Sequence, residues 1–205
     1  MLSRCVNTNK KEPIKMKIAF TGRRPKDLVG YNEADYTRFI NDLTTLLLSY
    51  GDGTEFICGG AQGFDQLAFA AAENVKRTFP NCKTHLYLPF NGQESRWKAA
   101  GIFGQNMYRA QKNQADSFRY VADITSDSDY SQIVKAMYAR NEAMVNDCDI
   151  IIALYPNDDW RTSSGGTASA MRYAARCGKP IYQLKYHIDQ TASELIIDSL
   201  GPIET

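Results

Sequence analysis

The sequence has no long apolar run, little excess charge of either sign and few residues suited to binding metals. The longest apolar stretch, DIIIALY from Asp149 to Tyr155, has the length of a strand, whereas a helix needs about 20 apolar residues to span a bilayer. Residues 1–15 contain no apolar segment of the kind found in secretory signals. The net charge is +1 at pH 7, so the chain as a whole is not strongly attracted to nucleic acid or to an anionic membrane. These absences predict a cytosolic protein that does not contact membranes, and they argue against a nucleic-acid partner.

Metal-binding and disulfide patterns are also missing. The two histidines, His85 and His187, have no clustered partners of the kind that a zinc site requires. The cysteines are odd in number and include no C-x-x-C pair, which predicts reduced, packed thiols in a reducing compartment; they are Cys5, Cys58, Cys82, Cys148 and Cys177. We therefore predict neither a metal site nor a resident cofactor.

Short apolar strands alternate with amphipathic helices along most of the chain. The predicted strands are KIAFTG, EFICGG, HLYLPF, SFRYVA, DIIIALY and PIYQL, and helical patterns separate most of them. Such alternation is typical of parallel βαβ units with right-handed crossovers. We predict a disordered leader over residues 1–15 and a single domain over residues 16–205. Its expected fold is a doubly wound, mostly parallel α/β sheet with helices on both faces, and residues 187–205 are expected to add one helical turn.

Glycine pairs stand where two of the predicted strands end. Gly59 and Gly60 close the second strand, and Gly165 and Gly166 precede the helix after DIIIALY. Amide groups at a helix N-terminus have no intrahelical partner, and the helix dipole favours an anion there. Glycine permits close approach because it has no Cβ. A tight turn with a helix cap would produce the same pattern, so each pair alone is weak support for a phosphate site.

Polar residues beside these glycines strengthen the prediction of a phosphate site. The first strand ends at Gly22 and is followed by Arg23, which would lie at the same edge of a parallel sheet. Ser164 precedes the second glycine pair, and Thr167 follows it. The Thr167 hydroxyl has two possible uses, either as a helix cap or as a donor to a ligand oxygen.

Arg140 and Asn141 interrupt the apolar face of the helix YSQIVKAMYARNEAMVND. At about 100° per residue, Asn141 falls inside the apolar arc and Arg140 lies at its edge. A buried polar group needs a partner, so a bound ligand is one explanation. The alternatives are an internal ion pair or an extended, solvent-reaching side chain for Arg140, and a backbone hydrogen bond for Asn141.

Three further residues are candidates for contacts with a nucleotide. Asp65 lies in the first turn of the second helix, where it either complements the helix dipole or accepts hydrogen bonds from ribose hydroxyls. Arg96 and Trp97 lie in the loop after HLYLPF and could contact a phosphate and stack on a base. The alternative for Trp97 is a loop aromatic folded back onto the domain.

Four segments together resemble the SLOG superfamily of Rossmann-like domains, above all its YpsA-like (DUF1273) group, which also occurs in phage genomes. They are FTGRRPKDLVGY, CGGAQGFDQLAFAAA, LPFNGQESRW and the stretch from RNEAMVNDCDIIIALY to SSGGTASAMRYAARCGKPIYQL, and they span nearly all of residues 16–186. The superfamily includes the LOG phosphoribohydrolases and the DprA DNA-processing proteins. The resemblance implies a nucleotide or nucleotide-derived ligand at the glycine-rich edge, and it makes a homodimer plausible.

Departures from the LOG pattern argue against hydrolysis. The P-G-G-x-G-T-x-x-E glutamate of those enzymes is replaced here by Ser169 or Ala170, and the lysine after their arginine is replaced by Asn141. We therefore expect a cytosolic protein that senses or sequesters an ADP-ribose-like molecule or a phosphorylated nucleoside. The alternatives are a nucleotide N-glycosidase, with an acid or base drawn from Asp65, Glu142 or Glu94, and a single-stranded DNA binder.

Overall fold

The computed structural model describes residues 15–28, 36–192 and 194–204. Apart from Lys15, the expected disordered leader lies outside the described residues. Within them, one sheet contains all the strands, in the spatial order β4-β3-β2-β1-β5-β6-β7. The strands are β1 (Lys17–Gly22), β2 (Glu55–Cys58), β3 (Lys83–Leu88), β4 (Ser117–Tyr120), β5 (Ile150–Leu154), β6 (Ile181–Asp189) and β7 (Glu194–Ile203).

The helices cover both faces of this sheet, as the strand–helix alternation predicts. Helices α1 and α2 pack on each other over one face, and α4 and α5 pack on each other over the opposite face. The first face buries large side chains such as Phe20, Phe56 and Phe64, and the second buries Met144 and Met171. The helices are α1 (Thr37–Leu48), α2 (Phe64–Thr78), α3 (Gln105–Gln114), α4 (Tyr130–Asp147) and α5 (Gly166–Arg176). The predicted doubly wound, mostly parallel α/β fold is therefore confirmed.

The prediction of a helical turn in the tail is wrong. Residues of β7 instead pair antiparallel with β6, which extends to Asp189, beyond the predicted PIYQL segment. The apolar run Leu195, Ile196 and Ile197 favours a strand because β-branched side chains pack well on a pleated surface, and Leu195 is buried. The longer β6 provides the edge on which this strand forms.

The chain changes direction across the sheet at β1. It runs outward through β2, β3 and β4, and then returns to place β5 on the other side of β1. Both β2 and β5 pair parallel with β1, and Gly22 at the end of β1 lies opposite Leu154 at the end of β5. The crevice beyond such a reversal is the usual ligand site of an open parallel sheet.

Three of the described cysteines are buried, as expected for packed thiols: Cys58, Cys82 and Cys148. Cys177 is exposed at the end of α5. None of the helices over residues 15–28, 36–192 and 194–204 has the length and apolar character of a membrane span.

Candidate functional site

A cleft of about 520 Å³ opens where the ends of β1 and β5 meet. Its walls come from the segment after β1, the start of α2, one face of α4, and the loop that leads from β5 into α5. The predicted site residues that line it are Gly22, Arg23, Asp65, Arg140, Asn141, Ser164, Gly165, Gly166 and Thr167. The fold thus brings together residues from four separate parts of the sequence.

The N-terminus of α5 is open to this cleft. Gly165 adopts a φ of +107°, and both Gly165 and Gly166 are exposed. Gly165 is the N-cap residue and has no side chain with which to cap the helix. A Cβ added at Gly165 would meet no described atom within 4 Å, and one at Gly166 would meet only Asn141 Nδ2, at 3.9 Å. Free amide groups therefore face space that an anion could occupy.

Two side chains fix the start of α5 from either side. Thr167 Oγ1 donates a hydrogen bond to the carbonyl oxygen of Gly22 at 2.7 Å, which ties the helix to the end of β1. Asn141 Nδ2 donates to the carbonyl oxygen of Gly166 at 3.4 Å. The Thr167 hydroxyl proton is thus directed at the protein, and Asn141 makes the backbone contact that the sequence left open.

Arg140 and Asp65 form a buried ion pair at the base of the cleft. Each residue is 6% exposed, and Arg140 Nη1 donates to Asp65 Oδ2 at 3.0 Å. Burial lowers the pKa of the Arg140 guanidinium from its usual value, and Asp65 opposes that shift. An arginine side chain nevertheless stays protonated in proteins. Its Nε is buried and has no hydrogen-bond partner in the part of the chain that the structure describes, so one donor is left for another acceptor.

The pattern of burial on α4 differs from the expected one. Arg140, predicted at the edge of the apolar arc, is buried, whereas Asn141, predicted inside the arc, is half-buried and reaches α5. The reason is the carboxylate of Asp65, which draws the guanidinium inward. An internal ion pair was one of the alternatives that the sequence left open.

Positive charge dominates the rest of the cleft. The Arg23 guanidinium lies over the ring of Tyr155 at 4.6 Å, and its buried Nε also has no partner among the described residues. Burial raises the pKa of the nearby Tyr186, while Arg23 opposes the shift. Arg24, which follows Arg23 in the sequence, also lines the cleft, as does Lys26, which sequence reasoning did not select. Its described cations thus outnumber its carboxylates, Asp27 and Asp65, by four to two.

The Gly59–Gly60 pair does not line the cleft, contrary to the prediction that both glycine pairs lie at one phosphate site. A Cβ at Gly59 would lie 1.4 Å from Arg140 Nη1, so this glycine makes room for the guanidinium. The amide of Ala61 donates to Asp65 Oδ2 at 3.3 Å, and the amide of Phe64 donates to the carbonyl of Arg23 at 3.2 Å. The start of α2 is therefore occupied by the protein's own acceptors.

Gly60 lies beside this arrangement and also faces protein. It has a φ of +64°, and a Cβ there would lie 2.8 Å from Leu88 Cδ2. Its carbonyl accepts a hydrogen bond from Gln93 Nε2 at 3.2 Å. The positive φ and the close packing of this turn explain the glycine without a ligand.

Arg96 and Trp97 lie outside the cleft. Arg96 Nη2 donates to the carbonyl of Ser126 at 3.2 Å. Trp97 packs edge-on against Tyr108, with ring centroids 5.3 Å apart, and joins the border of the larger core. The loop aromatic has folded back onto the protein, which was the alternative to base stacking.

Sequence reasoning missed two exposed tyrosines on the cleft face of α4. Tyr130 and Tyr138 line the cleft together with Val134 and Met137. Residues 130, 134, 138 and 141 recur at the spacing of one helix face, so the pattern was present in the sequence. Spacing alone does not show whether such a face is covered by the sheet or borders a cleft.

Comparison with known proteins places this fold and cleft in a family. The YpsA family model, described as the YspA SLOG family, matches residues 18–188. The SPbeta prophage-derived protein YoqJ of Bacillus subtilis (strain 168) is 31% identical over 127 residues, which cover 59% of this chain and 69% of that protein.

A solved structure shares the fold at lower sequence identity. The X-ray structure of DNA processing protein A (DprA) from Streptococcus pneumoniae superposes with a TM-score of 0.54 and 14% identity. The match covers 87% of this chain but 53% of that one, so the chain spans about half the length of DprA. At this identity the likeness concerns the fold alone. The family match covers most of the described sheet and every residue of the cleft, and the chain therefore belongs to the YspA SLOG family.

Proposed function

We propose that this protein binds a nucleotide or nucleotide-derived small molecule, with its phosphate at the N-terminus of α5. One observation carries the proposal: the uncapped, exposed start of α5 shares a cleft with Arg140, a buried cation whose Nε has no partner among the described residues. Helix amides and a guanidinium are complementary to phosphate oxygens. Arg23 supplies a second guanidinium from the end of β1.

The size and charge of the cleft and the family of the chain support this assignment. Its volume of about 520 Å³ lies within the range of roughly 300–1,000 Å³ that is usual for small-molecule sites. The excess of cations over carboxylates favours an anionic ligand. Membership of a SLOG family points to a nucleotide-related function. Sensing or sequestration of the ligand and pairing into a homodimer are parts of the proposal that the family resemblance implies, and a cytosolic location is the part that the sequence composition favours.

We propose binding rather than hydrolysis of the nucleotide. Of the carboxylates considered as acid or base, Asp65 lines the cleft but is held by Arg140 and by the amide of Ala61. Glu142 is exposed on α4, and Glu94 pairs with Arg109 at 3.6 Å. Neither Glu142 nor Glu94 is among the residues that line the cleft.

A thermal-shift and calorimetry panel tests the proposal. The panel contains nucleoside mono-, di- and triphosphates, cyclic nucleotides, ADP-ribose and a single-stranded oligonucleotide. A ligand at about 100 times its Kd adds about 2.7 kcal/mol to the free energy of unfolding. Preferential binding of the oligonucleotide, with a steep dependence on salt, would replace the proposed small-molecule function with DNA binding.

Gly166→Val tests the proposed position of the phosphate, because the valine Cβ would enter the open space at the N-terminus of α5. We expect this variant to lose the ligand-induced shift while its own unfolding temperature stays near that of the wild type. Gly201→Val is the control, since a Cβ there meets no described atom within 4 Å and the residue lies on β7. No shift with any compound, or equal affinities for wild type and Gly166→Val, would reject the proposal.

A further inference from the structure

The cleft face of α4 carries an aromatic wall made of Tyr130, Val134, Met137 and Tyr138. The Tyr130 and Tyr138 side chains are among the few large apolar side chains that remain exposed in the described residues, at 80% and 42%. Tyr130 and Tyr138 take part in no ring contact, cation–π contact or side-chain hydrogen bond within those residues. Packing among the described residues thus does not explain why these two tyrosines lie on this face.

The wall is continuous with the anion end of the cleft. Asn141, which contacts the start of α5, lies three residues after Tyr138 and eleven after Tyr130 on the same helix. At about 1.5 Å per residue, the wall extends from about 5 Å to about 16 Å along α4 from that contact. A ligand anchored by its phosphate at α5 would reach the wall with whatever group it carries at its other end.

The chemistry of the wall favours a flat, aromatic group at that end. Aromatic faces stack on nucleobases, and this contact tolerates any base because every base has a π face. Apart from the two phenolic hydroxyls, the wall side chains contain no hydrogen-bonding nitrogen or oxygen. The wall can therefore hold a base, but it has little means to read the edge of that base.

We infer that the α4 wall is the base-binding subsite of the cleft and that it recognises the base by stacking. This inference rests on the proposed function, because it takes the phosphate to lie at the N-terminus of α5. It adds a specificity to that function: a phosphorylated nucleoside is bound in preference to a sugar phosphate or free phosphate, with weak discrimination between bases.

A comparison of ligands with and without a base tests the inference. The probes are AMP, CMP, ADP-ribose and ribose 5-phosphate, titrated into wild type, Tyr138→Ala and the double variant Tyr130→Ala/Tyr138→Ala. Stacking contributes about 1–3 kcal/mol per base, so AMP should bind wild type about 5- to 150-fold more tightly than ribose 5-phosphate. AMP and CMP should differ by less than about 10-fold.

The tyrosine variants should lose the gain in affinity that the base provides. In the double variant the ratio of the AMP and ribose 5-phosphate affinities should fall towards one, while ribose 5-phosphate binding stays within about twofold of wild type. Because both rings are exposed, their truncation should leave the unfolding temperature nearly unchanged. Phe118→Ala is the matched control, since Phe118 is 46% exposed on β4 and does not line the cleft.

The possible outcomes separate the two proposals. If ribose 5-phosphate and AMP bind equally, and only Gly166→Val weakens them, the aromatic wall is rejected and the phosphate site stands. If the double variant loses both ligands in equal measure, the wall does not act through the base. If none of the four probes binds, the inference falls together with the proposed function for these ligands.

Discussion

Two helices begin with glycine-rich turns at the same edge of the sheet, yet their N-termini differ. At α2, Asp65 and the carbonyl of Arg23 take the amide groups of Ala61 and Phe64. At α5, Gly165 and Gly166 are exposed, and a Cβ at either glycine would meet no described atom closer than 3.9 Å. The same sequence pattern thus marks one N-terminus that is filled by the protein and one that is open to solvent.

The difference shows what a glycine pair does and does not indicate. A glycine allows a positive φ or a close approach to the backbone, and the approaching group can be the protein's own side chain. At Gly59 that neighbour is the guanidinium of Arg140, and at Gly166 the nearest described atom to a Cβ is Asn141 Nδ2, at 3.9 Å. Only the second case leaves room for a ligand.

Replacing one glycine by alanine at the start of each helix should give the largest difference in the free energy of unfolding. Gly59→Ala would place a Cβ 1.4 Å from Arg140 Nη1 and 2.6 Å from Asp65 Oδ2. Overpacking and loss of the buried ion pair should together lower the free energy of unfolding by about 4–8 kcal/mol. Gly166→Ala is the matched variant and should change it by less than about 0.5 kcal/mol.

Urea denaturation of both variants measures this contrast. Equal stability of Gly59→Ala and wild type would mean that the guanidinium can leave its place at the start of α2 without loss, and the two turns would then not differ as described.

The Asp65–Arg140 pair should show strong coupling in a double-mutant cycle. Either Asp65→Ala or Arg140→Leu leaves the other charge buried without its partner, which costs about 3–5 kcal/mol. The double variant should be destabilised by clearly less than the sum, because no lone charge remains. Guanidinium chloride unfolding of the four proteins gives the coupling energy, and additivity within about 0.5 kcal/mol would contradict a direct pair.

Thr167→Val should lower the stability less than Gly59→Ala or the loss of either charge of the ion pair, and it tests the description of the α5 turn. The substitution removes the hydroxyl that donates to the carbonyl of Gly22 at 2.7 Å while keeping the shape of the side chain. The loss of one such hydrogen bond lowers the free energy of unfolding by about 0.5–1.5 kcal/mol. Ligand affinity should fall only slightly, since the hydroxyl is directed at the protein. A loss of binding as large as that of Gly166→Val would instead assign Thr167 a direct ligand contact.

Much of the fold could be predicted because its signals are local. Short apolar strands such as IIIAL, broken by glycine and proline, predict a buried parallel sheet without knowledge of distant contacts. The tail could not be predicted in this way. Its strand β7 forms on the free edge of β6, and the propensity of residues 194–203 alone does not reveal that edge.

The cleft was only partly predictable for a related reason. A helical wheel identifies Arg140 and Asn141 as unusual, but it cannot show which of them points inward. That is decided by Asp65, which lies 75 residues earlier in the chain. Tyr130 and Tyr138 had the right spacing, but whether they face a core or a cleft depends on where α5 begins. Trp97 was a reasonable candidate by residue type, and its contact with Tyr108 came from tertiary packing.

Arg140 and Asn141 are neighbours in sequence, and each reaches a different helix. Arg140 holds the carboxylate at the start of α2, and Asn141 contacts the first residue of α5. One turn of α4 therefore fastens two helices that cover opposite faces of the sheet. Any sliding of α4 along its axis strains both attachments together, so the two sides of the molecule are mechanically joined at the floor of the cleft.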